Sequence, residues 1–303
     1  MLTRAAQFDL LTEARNPASA EIDALPTLDM LRVINAADRE VALSVESEIP
    51  NIARAVDAIA ARLEGGGALF YIGAGTSGRL GVLDASECPP TFNTPPDLVQ
   101  GIIAGGDRAL RHSVEQAEDD RELGAKDLGA RGFGAADAVV GIAASGRTPY
   151  VLGGLAYARS LGALTVGLSC TPDSQVAQAA EIAITPLPGP EIVTGSTRMR
   201  AGTATKLVLN MLSTGVMIRL GYVYGNLMVN MQATNEKLTD RARRIISTIA
   251  AVPYEEATRL LSEGGSVRVA ILMHKLGLSR GDAEAKLREA KGRLRVALEP
   301  AAH

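Results

Sequence analysis

A segment rich in glycine and hydroxyl side chains has the residue types of an anion site. Gly73–Gly78 reads Gly-Ala-Gly-Thr-Ser-Gly, follows a short apolar run and precedes an apolar segment compatible with a helix. A strand, a glycine loop and a helix in this order direct backbone N–H groups and the positive end of a helix dipole at an anion. Thr76 and Ser77 add hydroxyl groups suited to a compact phosphate. An acid, Glu87, follows within about three helical turns, so the segment predicts an anion site with a carboxylate nearby.

The same glycines fit the spacing G-x-G-x-x-G, which is typical of dinucleotide-binding loops. That fingerprint requires an acidic residue about 20 positions further on, at the end of the second strand, to bind a ribose. Here Asp97 precedes the next strand and Asp107 lies beyond a Gly-Gly pair. Neither acid is well placed to bind a ribose. The loop is therefore expected to bind a compact phosphate and not a dinucleotide.

Two further loops carry hydroxyl groups next to predicted helices. Ala144–Thr148 contains Ser145 and Thr148, and Thr194–Arg200 precedes a long apolar helix. Ser and Thr also cap helices routinely, and for one loop alone capping is the better explanation. Three such loops at the ligand-binding edge of one sheet favour phosphate binding. The basic side chains in the third loop, Arg198 and Arg200, suit either a phosphate or a subunit contact.

Two acids are candidates for proton transfer. Glu87 lies directly before Cys88–Pro90, where the double proline is expected to end the helix. The negative end of the helix dipole and apolar surroundings would both favour the protonated carboxyl that a general acid needs. Glu118 lies in the acidic run Val114–Asp120, which by itself is more typical of a solvated helix face. Cys88 is expected to be a buried structural thiol.

Short apolar runs that alternate with helical segments must position these loops. The strand candidates are Ala68–Ile72, Leu98–Ala104, Ala138–Ala143, Leu164–Leu168 and Ile182–Thr185. The helix candidates between and after them are Leu80–Ser86, Leu110–Leu123, Tyr150–Ser160, Val176–Ala180 and Ala201–Leu220. Strands without polar alternation, separated by helices, predict a parallel α/β sheet that is buried on both faces.

Helical segments flank this predicted α/β unit. Residues 1–20 are expected to be loosely structured, with a break at Asn16-Pro17, and helices are predicted at Ile22–Glu40 and Val41–Leu63. The apolar segment Tyr222–Met231 is suited to a core or an interface. The predicted C-terminal helices are Thr239–Ala251, Tyr254–Glu263, Val267–Leu276 and Ser279–Arg295. The predicted domains are residues 1–63 (N-terminal helices), 64–225 (α/β domain) and 238–298 (small helical domain).

Composition excludes several classes of function. The 303 residues are 47% hydrophobic, without an apolar stretch long enough to span a membrane, and the first residues lack the pattern of a secretion signal. A net charge of −3 and the absence of tryptophan argue against a nucleic-acid partner. The two cysteines and three histidines show no metal-ligand spacing, so no metal is expected. Few cysteines fit a reducing cytoplasm.

Beyond these features, long stretches of the chain resemble one family, the bacterial N-acetylmuramic acid 6-phosphate etherases. The resemblance covers about Leu11 to Arg295 and is far more specific than a lone glycine motif. The segments that carry it are Thr12–Pro17 (TEARNP), Gly73–Gly81 (GAGTSGRLG), Asp84–Thr91 (DASECPPT), Thr194–Lys206 (TGSTRMRAGTATK) and Leu227–Met231 (LMVNM).

The resemblance implies a fold and a set of site residues. The fold would be a sugar isomerase (SIS) domain, a three-layer α/β sandwich with a parallel sheet, N-terminal helices and a small C-terminal helical domain. The implied catalytic residues are Glu87 and Glu118, the implied phosphate ligands are Thr76, Ser77, Ser145 and Thr148, and candidate substrate contacts are Gly75, Ser196 and Arg198. No cofactor is implied. A homodimer with its site at the subunit interface is implied as well.

The reaction implied by the resemblance is cleavage of the ether between D-lactate and C3 of the phosphosugar. In the open-chain aldehyde a carboxylate removes the acidic C2 proton, lactate leaves from C3, and water adds to the resulting enal. The products would be D-lactate and N-acetylglucosamine 6-phosphate. Two other functions share this type of fold: a phosphosugar sensor, as in the glucokinase regulatory protein, and an aldose–ketose isomerase. The segment Ser86–Pro90 favours the etherase over both.

Overall fold

The computed structural model describes residues 11–112 and 114–299, and these form two compact units. The first unit comprises the described residues up to Ser86 together with Pro96–Thr214. The second comprises Glu87–Pro95 together with the described residues from Gly215 on. The expectation for residues 1–10 lies outside the described residues. Residues 11–20 contain the short 3₁₀ turns Leu11–Glu13 and Pro17–Ser19, the second of which begins at the capping residue Asn16.

A parallel sheet of five strands forms the centre of the first unit. Its strands are β1 (Leu69–Gly73), β2 (Val99–Ile103), β3 (Ala138–Ile142), β4 (Leu164–Leu168) and β5 (Ile182–Ile184). Their order across the sheet is β2-β1-β3-β4-β5, and every neighbouring pair is parallel. Every residue of β1, β3 and β4 is buried, which explains why these strands are continuous apolar runs. The predicted α/β fold is confirmed.

Helices cover both faces of this sheet. The helices in this part of the chain are α1 (Thr27–Glu46), α2 (Ile49–Glu64), α3 (Gly75–Phe92), α4 (Arg121–Ala130), α5 (Pro149–Ser160), α6 (Gln175–Ala179) and α7 (Arg200–Arg219). On one face Phe70 and Ile72 of β1 join a core with Leu128 of α4 and Tyr150 of α5. Tyr71 points to the opposite face, because successive side chains of a strand alternate. The result is the three-layer sandwich expected for an SIS domain.

A buried carboxyl connects β1, α3 and α7 on this second face. Asp84 of α3 accepts hydrogen bonds from the Tyr71 hydroxyl at 2.9 Å and the Ser213 hydroxyl at 3.2 Å. Burial raises the pKa of Asp84, although these two hydrogen bonds oppose the shift. The folded state therefore keeps this proton at a pH at which the unfolded chain has already lost it.

We expect Asp84 to make the protein less stable as the pH rises from the unfolded pKa, about 3.9, through the raised folded pKa. Asp84→Asn keeps an acceptor oxygen for one of the two hydroxyl groups, offers an N–H donor to the other, and removes the titration. Urea unfolding measured at several pH values in this range should show a smaller loss of stability in the variant than in the wild type. An equal loss in both proteins would contradict the assignment.

The second unit contains a small β-hairpin and the C-terminal helices. The hairpin pairs β6 (Val223–Tyr224) with β7 (Leu227–Met228). The helices are α8 (Glu236–Ala250), α9 (Tyr254–Gly264), α10 (Val267–Leu276), α11 (Arg280–Glu289) and α12 (Leu294–Leu298). Val229 and Met231 are buried among the apolar side chains of these helices. Of the two roles expected for the segment Tyr222–Met231, the structure therefore shows a role in the core.

Several predicted helix boundaries are wrong for local reasons. The helix predicted at Leu110–Leu123 is replaced by 3₁₀ turns and by α4, which begins after Asp120 because the Asp120 carboxylate accepts from two backbone N–H groups. The break between α1 and α2 lies at residues 47–48, since Pro50 suits the first turn of a helix. The helix predicted at Ser279–Arg295 is divided by Lys291 and Gly292, which both have positive φ angles.

The sequence led us to expect that the double proline ends α3. In the structure, the prolines do not end this helix. Pro89 and Pro90 lie inside it, and it continues to Phe92. The Phe92 side chain is buried, and its carbonyl accepts a hydrogen bond of 2.6 Å from the Asn230 side-chain amide. This distant residue satisfies a terminal carbonyl of the helix and so favours the extra turn.

Candidate active site

The strand order brings two of the predicted loops together. In the order 2-1-3-4-5 the connections after β1 and β3 leave in opposite directions, and ligands of parallel α/β sheets bind at such a switch point. The first loop follows β1 and the second follows β3. A cavity of about 810 Å³ lies here and is lined by residues of both loops, including Gly75, Thr76, Ser77, Ser145 and Thr148.

Close packing or backbone conformation explains each glycine of the first loop. A Cβ on Gly73 would lie 2.8 Å from the backbone nitrogen of Gly78, and a Cβ on Gly78 would lie 2.6 Å from a side-chain carbon of Ile103. Gly75 has a φ of +53°, which glycine adopts at no steric cost. Close contact of β1 with α3 thus accounts for the G-x-G-x-x-G spacing without a dinucleotide.

Glu118 lies between the starts of α3 and α5. Its backbone carbonyl accepts a hydrogen bond of 3.1 Å from the N–H of Tyr150, in the first turn of α5. Its carboxylate oxygen Oε1 lies 3.1 Å from the position that a Cβ on Gly75 would occupy. The side chain lines the cavity and is half-buried. Glu118 is therefore not on a solvated helix face, which was the favoured interpretation from the residues alone.

The family resemblance implies that Glu118 is catalytic, so we expect Gly75→Ala to reduce catalysis, because the added methyl group would displace the Glu118 carboxylate. A matched control is Gly66→Ala, since Gly66 has a φ of +89° and nothing within 4 Å of its Cβ position. Both variants should lose about 1–2 kcal/mol of unfolding free energy from backbone strain. Only Gly75→Ala should also lose turnover, by about 10- to 100-fold. Equal turnover in the two variants would contradict this role of Gly75.

The hydroxyl groups of the first two loops lie at helix starts, and the one at the N-cap position of α5 makes no capping hydrogen bond. Thr76 and Ser77 are in the first turn of α3 and are half-buried. Thr148 occupies the N-cap position of α5, yet its side chain makes no capping hydrogen bond. Ser145 lies three residues earlier and lines the same cavity. The two helix N-termini and these hydroxyl groups together can bind an anion.

The third loop differs from the expectation. Gly195 and Thr197 line the cavity, whereas Ser196 and Arg198 do not, and Arg198 is exposed. The start of α7 is already occupied, because the buried Glu191 carboxylate accepts from the N–H groups of Arg200 and Ala201 at 2.8 and 2.9 Å. This helix N-terminus therefore has an internal anion, unlike those of α3 and α5.

Arg200 is a structural residue in this arrangement. Its side chain is buried, and its Nη1 donates a hydrogen bond of 3.0 Å to the carbonyl of Pro190. Of the two roles expected from sequence, a phosphate ligand or a subunit contact, the structure shows neither for this side chain within the single chain. Its contact with the preceding loop helps to hold the third loop next to the cavity.

The structure adds an acid that sequence reasoning did not assign. Glu13 lines the cavity, and its Oε2 lies 3.2 Å from the Cβ position of Gly195. The N-terminal segment is held by Asn16 and Ser19, whose side chains donate to the carbonyls of Pro190 and Ile192 at 3.1 and 2.8 Å. The segment Thr12–Pro17 contained the signal, although only as part of the family resemblance. Asp119, Arg147 and Gln175 also line the cavity without having been predicted.

Glu87 lies on α3, two residues before Pro89, and belongs to the second compact unit. It is exposed, so the expected apolar enclosure is not found, and it is not among the residues that line the cavity. Cys88, next to it, is buried, as expected for a structural thiol. Cys170 is buried too, and burial raises the pKa of its thiol to about 12.

The described residues offer neither the ligand set of a metal site nor a membrane-spanning helix. Within residues 11–112 and 114–299, no three His, Cys, Asp or Glu side chains are grouped so that they could hold a metal ion. None of the helices in these ranges combines the length and apolar character that a membrane span needs.

Comparisons with known proteins support the fold. A family model described as the glucokinase regulatory protein N-terminal SIS domain matches residues 51–159. A phosphoheptose isomerase from Francisella tularensis has a TM-score of 0.50 and 19% identity, covering 64% of this chain and 100% of its own, and this likeness shows the fold alone.

Two curated relatives cover nearly the whole chain. An N-acetylmuramic acid 6-phosphate etherase from Photorhabdus laumondii is 55% identical over 288 residues, which are 95% of this chain and 96% of that protein. A protein of the same name from Aeromonas hydrophila is 57% identical over 284 residues, which are 93% of this chain and 95% of that protein. Identity at this level and coverage defines the family. The chain belongs to the N-acetylmuramic acid 6-phosphate etherases.

Proposed function

We propose that this protein cleaves the D-lactyl ether of N-acetylmuramic acid 6-phosphate and releases D-lactate and N-acetylglucosamine 6-phosphate. The observation that carries the proposal is the position of Glu118 in a cavity between two helix N-termini with free hydroxyl groups. An anion-binding end for a phosphate and a carboxylate for proton transfer are what this reaction requires. Membership of the etherase family supports the same substrate.

In the proposed mechanism, Thr76, Ser77, Ser145 and Thr148 bind the 6-phosphate and fix the open-chain sugar in the cavity. The C1 aldehyde acidifies the proton on C2, and a glutamate removes it as a general base. The electron pair forms the C2–C3 double bond while the C3–O bond breaks and lactate leaves with a proton. Water then adds to the enal: its oxygen bonds to C3, its proton is taken up by an acid–base side chain, and a proton returns to C2. The reaction moves only protons, the lactyl group and one water, so acid–base side chains and a phosphate anchor are sufficient.

We propose Glu118 and Glu87 as the two acid–base residues of this reaction. For Glu118 the support is its place in the cavity. For Glu87 the support is the match of Ser86–Pro90 to the family motif.

We further propose a homodimer with the site at the subunit interface, in which a second copy completes the site. We also propose a cytoplasmic location, which fits two buried cysteines that form no disulfide.

Incubating the purified protein with N-acetylmuramic acid 6-phosphate and following D-lactate release tests the proposed function. We expect stoichiometric D-lactate and N-acetylglucosamine 6-phosphate. A folded protein that binds the phosphosugar but releases no lactate would point to a sensor. Formation of a ketose phosphate from an aldose phosphate would point to an isomerase. Either result would contradict the proposal.

A further inference from the structure

The cavity is lined by more acidic than basic side chains, although the proposed substrate is itself an anion. Among the described lining residues, Glu13, Glu118 and Asp119 are acidic and Arg147 alone is basic. The substrate carries two anionic groups, the 6-phosphate and the carboxylate of the lactyl ether. Like charges at short range in a partly enclosed site disfavour binding. The cavity must therefore neutralise both groups despite its own three acids.

The phosphate has donors that carry no formal charge. The N-termini of α3 and α5 and the four hydroxyl groups beside them form an anion site without any cation. The lactyl carboxylate has no comparable site: the third helix start near the cavity, that of α7, is occupied by Glu191. Among the described residues of this chain that line the cavity, Arg147 is the cation available to bind it.

Arg147 is placed and free for this contact. It lies between Ser145 and Thr148 in the loop after β3, is half-buried and lines the cavity. Its guanidinium forms no hydrogen bond or ion pair with the side chains and backbone that the structure describes. A planar guanidinium can bind a carboxylate through two parallel hydrogen bonds, which an ammonium group cannot reproduce.

We propose that Arg147 binds the carboxylate of the lactyl group and thereby selects a muramic acid phosphate over phosphosugars that lack this group. The proposal rests on the proposed function, since it assumes the lactyl ether as substrate. It makes Arg147 a specificity residue: it contacts the leaving group and not the phosphate.

Arg147→Gln tests this assignment with three ligands: N-acetylmuramic acid 6-phosphate, its lactyl carboxamide, and N-acetylglucosamine 6-phosphate. Binding is measured by calorimetry and lactate release by kinetics. In the variant, kcat/KM and affinity for the muramic acid phosphate should fall about 10- to 100-fold, mainly through KM. Affinity for N-acetylglucosamine 6-phosphate should be unchanged, which also shows that the variant is folded. The wild type should prefer the acid over the carboxamide, and the variant should not.

Two variants complete the experiment. Arg147→Lys keeps the charge but not the planar pair of donors, so it should recover only part of the affinity. Arg159→Gln, at an exposed position on α5, should behave as the wild type. A parallel loss of affinity for N-acetylglucosamine 6-phosphate in Arg147→Gln would mean that Arg147 holds the phosphate, and an unchanged preference for the acid would mean that it holds neither group. Failure of the proposed function would appear separately, as a wild type that releases no lactate, and the binding series would still decide the role of Arg147.

Discussion

Glu118→Gln is expected to lower D-lactate release about 10²- to 10⁴-fold, the range typical of losing a general acid or base. Glutamine keeps the size and hydrogen-bonding capacity of the side chain but cannot exchange a proton. Because the proposed phosphate ligands are separate residues, affinity for the phosphosugar should be largely retained. The measurement is single-turnover lactate release together with binding of N-acetylglucosamine 6-phosphate.

A matched control for this variant is Glu122→Gln, at an exposed position in the first turn of α4. It removes an acid of the same type close by in sequence and should leave turnover unchanged. If Glu118→Gln released lactate at the wild-type rate, Glu118 would not be an acid–base residue and the mechanism would need another base.

Glu87→Gln should produce a loss of the same size, about 10²- to 10⁴-fold, if the second proton transfer depends on it. The two variants are separated by exchange of the C2 proton with solvent deuterium. The variant that lacks the base should lose exchange and lactate release together. The variant that lacks the acid should keep some exchange while it loses lactate release.

Asp97→Asn, at an exposed position, serves as the control for Glu87→Gln and should leave both measurements unchanged. Unaffected C2 exchange in both glutamate variants would contradict the proposed elimination. Full activity of Glu87→Gln alone would contradict the role transferred to it from the family motif.

The central sheet could be predicted from sequence because its strands are buried on both faces. Each strand is then a continuous apolar run between polar connections, and the predicted bounds of β4, Leu164–Leu168, agree with the structure. The glycine loop after β1 could also be predicted, since its glycines are required by local backbone geometry and close packing. Such local signals do not depend on distant parts of the chain.

Features set by distant residues could not be predicted in the same way. The last turn of α3 continues beyond Pro90 with the help of Asn230, which is 138 positions from its partner Phe92. The acidic run around Glu118 has the composition of a solvated helix face. Its own sequence does not predict the contact of Glu118 with Gly75 and Tyr150. Glu191 likewise occupies the start of α7 from a position outside the helix.

Glu13 and Arg147 show a further limit. Each is a common charged residue in a short connecting segment, and its type and spacing predict no particular chemistry. The fold defines their positions. Asn16 and Ser19 hold the segment of Glu13 next to the third loop. Arg147 lies in the loop after β3 and lines the cavity. The sequence signal for Glu13 was the family resemblance of its segment.

The most direct test of the proposed mechanism is the reaction of N-acetylmuramic acid 6-phosphate with the wild-type protein in ¹⁸O-labelled water. Elimination followed by addition of water breaks the bond between C3 and the ether oxygen. We therefore predict unlabelled D-lactate and one ¹⁸O atom on C3 of the N-acetylglucosamine 6-phosphate. Label in the lactate, or the absence of lactate from a folded protein, would contradict the mechanism.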